Sequence, residues 1–227
     1  MRIPHTVRTD EKKDIRIHKG LLTYHSAFFA AALNGGFKEG ETGIVELPDD
    51  EVAVFQAVYC WLYTGRLHDP PSSPLAKASS APGPLTPEIP LTGEVICKVF
   101  VFGEMRGIPA LKNEAIDLLH RFTCVMEFPT IVLHYIYENT SDESLIRKMI
   151  VEMAADFFLS CSDLTCFNTK RDLLPAGFLL DLMFKLETQD GKFKETGNTG
   201  MVNLDRCSKY HDHSGPGGKL RGSQASA

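Results

Sequence analysis

Apolar and polar positions alternate at the start of the chain. Thr6-Val7-Arg8-Thr9 and Ile15-Arg16-Ile17 flank the polar run Asp10-Glu11-Lys12-Lys13, a pattern that predicts two strands joined by a turn. A short helical segment follows through Leu21 and Leu22. Ser26 is placed to cap a second helix over 27–33, whose alanines favour that state, and Asn34-Gly35-Gly36 ends it by allowing positive φ. Ile44-Val45-Glu46-Leu47 predicts a third strand, closed by Pro48. Asp49 or Asp50 then caps a helix with apolar positions at Val52, Phe55, Val58 and Leu62, a 3.6-residue period that Thr64-Gly65 stops.

From residue 94 the helical period dominates. Val95, Val99, Phe102 and Met105 form one stripe, ended near Gly107. Pro109 suits the first turn of the next helix, whose inner face is Leu111, Ala115, Leu118 and Phe122. A helix starting at Phe128-Pro129 runs through Ile131, Val132, Tyr135 and Ile136. Thr140 and Glu143 have capping-box spacing before a helix lined by Leu145, Met149, Met153 and Phe157. Pro175 precedes a last helix with Leu179, Leu182, Met183 and Leu186. Strands cluster early and helices late, so the class expected is α+β, helices packed on a small sheet.

Two stretches break this pattern. Residues 68–93 are rich in Pro, Ser and Ala and can neither bury a core nor hold a helix, so they read as a flexible insertion. The tail, 188–227, is rich in Gly, Ser, Lys and Asn and reads as poorly ordered. The expected domains are therefore 5–122, interrupted at 68–93, and a helical extension at 123–187.

With 24 Lys plus Arg against 29 Asp plus Glu, the net charge is −5, which lacks the electrostatic footprint of a direct nucleic-acid binder. The chain has no apolar run of membrane-spanning length and opens without an apolar signal core, which predicts an intracellular protein of the cytoplasm, the nucleus or both, without a membrane partner. Cys60, Cys97, Cys124, Cys161, Cys166 and Cys207 follow no disulfide rhythm and read as reduced thiols, the first three within apolar runs.

The words along the chain resemble a known family. His18-Lys19-Gly20-Leu21-Leu22 with Ser26-Ala27-Phe28-Phe29, then Ile44–Asp50 with Phe55, then Trp61-Leu62-Tyr63-Thr64-Gly65, and finally Val101–Leu111, are similar in type and order to segments of BTB/POZ domains. Asn34-Gly35-Gly36-Phe37-Lys38-Glu39-Gly40 adds a flavour most like the members found in filamentous fungi. The resemblance implies the BTB/POZ fold with a C-terminal helical extension. It implies protein binding: homo-oligomers, hetero-oligomers with a second BTB chain, or substrate adaptors on cullin-type ubiquitin ligases. In such adaptors an apolar-x-Glu motif before the third strand meets the cullin, and the matching positions here are Phe37, Lys38 and Glu39. An exposed Phe would contribute about 2 kcal/mol on burial in a partner. An equal alternative folds Phe37 back on its own domain. The family's Asp at the first strand has no counterpart near Thr6. Little chain precedes the hairpin, so the exchanged N-terminal segment of many BTB dimers is largely missing.

Candidate chemistry is sparse. The sequence holds no G-x-S-x-G, no phosphate loop, no G-x-G-x-x-G and no H-E-x-x-H, so neither catalysis nor a cofactor is implied. His18 reads as a turn histidine bonded to backbone. Cys207, His211 and His213 are zinc-ligand types within seven residues, but their second pair would have to be the loosely spaced Cys161 and Cys166. A solvated tail is the plainer reading; a small metal-binding or thiol enzyme built on them is the competing function. A transcription-related scaffold acting by oligomerisation is a third. Ser73-Pro74 and Thr86-Pro87 offer accessible phosphorylation sites, against an inert linker. Met149, Met153, Phe157, Phe178, Met183 and Phe184 read first as core, with the Phe157-Phe158 and Phe178/Phe184 excess suggesting an interface.

Overall fold

The structure is a computed structural model that describes residues 5–9, 14–67, 91–123, 130–160, 170–189 and 209–216. The chain divides into two compact units, Met1–Val125 with Asp212–Ala227, and Met126–His211.

The first unit is built on three strands, β1 (His5–Thr9), β2 (Asp14–Ile17) and β3 (Ile44–Leu47). β1 lies in the middle, antiparallel to β2 and parallel to β3, with Val7 opposite both Ile15 and Val45. Alternation does its work here. Val7, Thr9, Ile17, Val45 and Leu47 point inward and are buried. On the outer face Arg8 sits between its register partners, 2.7 Å from Asp14 and 3.4 Å from Glu46. Opposite charges on adjacent strands favour this register.

Helices α1 (Lys19–His25), α2 (Ala27–Asn34) and α3 (Lys38–Thr42) fill the crossover from β2 to β3. Ser26 caps α2, accepting from the Phe29 N–H at 3.1 Å, and its own hydroxyl donates to the Arg106 carbonyl at 2.6 Å. Lys19 donates to the Leu33 carbonyl at 2.8 Å, a cation at the negative end of α2. The positive φ that ends α2 falls on Gly36 (φ 73°), not on Gly35 (φ −85°).

After β3 comes α4 (Val52–Thr64), closed by Gly65 at φ 72°. Val52, Phe55, Val58 and Leu62 are all buried. Glu51 stands at the N-cap position without a side-chain cap bond, and Asp50 before it is buried with its carboxylate 2.5 Å from the Arg106 guanidinium.

Leu67 and Leu91, the described residues on either side of 68–90, are both buried. The expected insertion otherwise lies outside the described residues, and its last part belongs to the fold: Thr92 caps α5 (Gly93–Met105), accepting from the Val95 N–H at 3.2 Å. The predicted stripe on α5 holds at Val99 and Phe102, is half-buried at Val95 and fails at Met105. Met105 is exposed, while Ile96, Cys97, Val99, Phe100, Val101, Phe102 and Gly103 are all buried. A helix covered nearly all round has no polar side to orient a stripe by. It packs against α4, where Phe55 meets Phe102 edge-on at 6.0 Å, and against α6 (Pro109–Thr123). Each fully buried Phe contributes about 2–3 kcal/mol. On α6, Leu111, Ala115 and Leu118 are buried as expected, joined by Ile116 and Leu119.

The second unit holds a 3-10 turn, Thr130–Val132, and helices α7 (Leu133–Asn139), α8 (Leu145–Ser160) and α9 (Ala176–Gln189). The start expected at Phe128-Pro129 lies outside the described residues. Thr140 is not a capping-box residue. It closes α7, donating to the Ile136 carbonyl at 2.6 Å, and α8 begins only at Leu145. Glu143 pairs with Lys148 at 2.5 Å. On α8, Ile146, Met149, Ile150, Val151, Ala154 and Ala155 are buried, while Met153 is half-buried and Phe157 exposed. On α9 the buried residues are Phe178 and Leu182. Arg147 organises the α7–α8 turn. It stacks over Tyr137 at 4.3 Å and donates to the carbonyls of Tyr137 (2.7 Å) and Thr140, to the Thr140 hydroxyl (2.9 Å) and to Asp142 (2.7 Å).

Two parts of the expected tail are described, while residues 190–208 and 217–227 lie outside the described residues. α9 extends to Gln189, and residues 209–216 are described and hydrogen-bonded. Among the described residues, no helix is long and apolar enough to cross a membrane.

Candidate partner-binding surface

Phe37, Lys38 and Glu39 do not form a plain loop. Phe37 occupies the position before α3, extended at φ −80° and ψ 166°, and its carbonyl accepts from Gly40 at 2.9 Å. Lys38 and Glu39 make the first turn of α3, where the Glu39 carboxylate faces the positive helix end. Lys38 is exposed and Glu39 partly so.

The Phe37 ring combines both expected arrangements. One edge leans over Gly35, where a Cβ would come within 2.8 Å of the ring and 2.4 Å of the Ala31 carbonyl. The rest stays in solvent, leaving the residue 56% exposed. Gly35 thus gives the ring its seat, and Gly36 turns the chain toward it.

Tyr24, Phe28 and Met105 are further large apolar side chains exposed on this unit. Phe28 is partly covered by the Arg106 guanidinium, 5.1 Å from its ring centre. Periodicity assigned none of them to the surface; Met105 was expected inside.

On the second unit α9 exposes Leu179, Leu180, Met183 and Phe184, the last two by about two thirds (66% and 65%). Phe157 on α8 is also exposed. Of the aromatic excess noted in the sequence, Phe178 proves to be core, edge-on to Tyr137 at 6.1 Å. Tyr137 donates to Asp181 at 2.7 Å, and burial together with that carboxylate pushes its phenol upward.

The remaining candidates separate. His18 bonds to a side chain rather than to backbone carbonyls: its Nδ1 lies 2.7 Å from the Tyr63 hydroxyl, which also accepts from its N–H at 3.3 Å. Cys60 and Cys97 are buried and form no disulfide among the described residues, and burial raises both thiols, Cys97 the more strongly. Cys124, Cys161, Cys166 and Cys207 lie outside the described residues, as do Ser73 and Thr86. His211 and His213 are described; among the described residues, three or more His, Cys, Asp or Glu are not grouped as a metal site would require.

A mixed three-stranded sheet under helices, with apolar side chains held outward on rigid elements, defines a protein-interaction domain. Residues 5–80 match the family model of the BTB/POZ domain, so this stretch, about a third of the chain, carries a BTB/POZ domain. No curated protein matches the chain.

Proposed function

We propose that this protein is an adaptor that docks on a cullin-type scaffold through Phe37, Lys38 and Glu39. The observation that carries the reading is a large aromatic side chain kept more than half in solvent by a glycine seat beside a short helix. Transfer of its exposed area into a partner groove is worth on the order of 1–2 kcal/mol, the scale of one hot-spot residue. Glu39 stands two residues on, available to a cation at the rim.

The test is capture of the chain by an immobilised cullin N-terminal domain. Phe37→Ala and Glu39→Ala should each lower capture at least tenfold with circular dichroism unchanged. Undiminished capture by both variants would remove this segment from consideration. Self-association is a second reading, favoured by the exposure of Tyr24, Phe28 and Met105. It predicts a dimer mass in light scattering at tens of micromolar, returned to the monomer by Phe28→Glu. A monomer mass for the unmodified chain defeats it.

A further inference from the structure

Within the first unit, Asp212–Gly215 is seated on the start of α6 by contacts of three kinds. Charge is read by Lys112, whose Nζ donates to Asp212 Oδ2 at 2.8 Å. Main chain is read by Asn113, whose Oδ1 accepts the Asp212 N–H at 2.8 Å while its Nδ2 donates to the Asp212 carbonyl at 2.9 Å. Shape is read by Pro109: a Cβ on Gly215 would lie 2.8 Å from the proline Cγ, so only glycine fits against the ring. The segment closes on itself, Ser214 donating through both its N–H (3.0 Å) and its hydroxyl (2.6 Å) to Asp212 Oδ1.

The receiving side is itself fixed. Pro109 is locked in the first helical turn, and the Lys112 stem lies over Gly103, 3.1 Å from where a Cβ would stand. A side-chain amide that pairs with both polar groups of one residue sets the register of a bound peptide, as a neighbouring strand would. None of these contacts uses the covalent link between the segment and the rest of the chain.

We propose that the first two turns of α6 are a peptide-docking site for an Asp-x-Ser-Gly turn, filled in this chain by its own residues 212–215 and opened to a partner protein bearing the same turn when they leave. A tethered segment has an effective concentration in the millimolar range, so a free peptide competes poorly until the tether is weakened. The arrangement is an internal plug that sets a threshold for partner binding. It is independent of the Phe37 surface.

The experiment uses the full chain and a fluorescent peptide of residues 211–217, followed by anisotropy. Asp212→Ala should bind the peptide at least tenfold more tightly than the unmodified chain. Gly215→Val, which drives a side chain into the Pro109 ring, should do the same and guards against misfolding of either variant. Adding Asn113→Ala to Asp212→Ala should abolish the gain, and a peptide with its Asp replaced by Ala should not bind. The proposal fails if neither releasing variant binds the peptide more tightly than the unmodified chain, or if Asn113→Ala leaves the gain intact.

Discussion

Arg147 donates to two carbonyls, a hydroxyl and a carboxylate while its plane lies on Tyr137, and its side chain is almost wholly buried. Asp142 is exposed, so that ion pair contributes little. What holds the turn is the fork of donors meeting backbone acceptors, a geometry lysine does not reproduce. Arg147→Lys should therefore destabilise the second unit by about 2–3 kcal/mol, the sum of one or two charged hydrogen bonds lost; urea unfolding followed by circular dichroism measures it. Asp212 supplies a pH test. Burial works against its ionisation, but hydrogen bonds from Lys112 and Ser214 prevail and bring the carboxyl down to about 2. Its folded value lies below the ordinary carboxylate value near 3.9. The stabilisation is then complete above about pH 4 and is lost as pH falls toward 2. Protection of the Ser214 amide, corrected for intrinsic exchange, should drop across that window; protection unchanged from pH 5 to pH 2 would count against the contact. Nothing in the sequence links Asp212 to Asn113, since 99 residues separate them. The Asp50–Arg106 pair was hidden for the same reason, at a separation of 56.

At the scale of elements, the sequence was legible where local rules act alone. β1, β2, β3 and α2 follow from alternation, a serine cap and glycine stops, because each has one wet and one dry face; on α4 the predicted stripe is buried, but so are Val54, Ala57, Cys60 and Trp61. On α5, covered nearly all round like α4, the stripe was legible only in part, and on α8 and α9 the apolar residues outnumber what one face can bury. Periodicity counts apolar positions without knowing which are covered, so Met183 and Phe184 read as core. Two glycines, Gly65 at the end of α4 and Gly35 beside Phe37, separate conformation from seating. A Cβ at Gly65 meets nothing within 4 Å, so Gly65→Ala costs only its left-handed backbone, about 1 kcal/mol, and should leave cullin capture intact. Gly35→Ala has an ordinary φ but collides with the Ala31 carbonyl and the Phe37 ring. It should displace the ring and lower capture toward the level of Phe37→Ala. Capture assays on the two variants, beside their melting temperatures, distinguish a seated ring from a merely adjacent one.

Across the whole molecule, the family match ends within the Pro/Ser-rich stretch, outside the described residues. Leu67 and Leu91, on either side of that stretch, are both buried in the first unit. The helices on either side, α4 and α5, pack against each other. Closing a loop costs entropy that grows only logarithmically with its length, about 0.6 kcal/mol per doubling. Replacing residues 69–89 by about 12 Gly and Ser residues roughly halves the connection, and a linker of that length still spans about 40 Å when extended. If the Pro/Ser-rich stretch serves only as a connection, the shortened chain should be as stable as the original within about 1 kcal/mol, and Phe37-dependent capture should persist. A loss of several kcal/mol would mean that 69–89 covers part of the unit. Unchanged stability with lost capture would instead assign the stretch to the partner. Stability and capture together therefore decide between connector, core and contact.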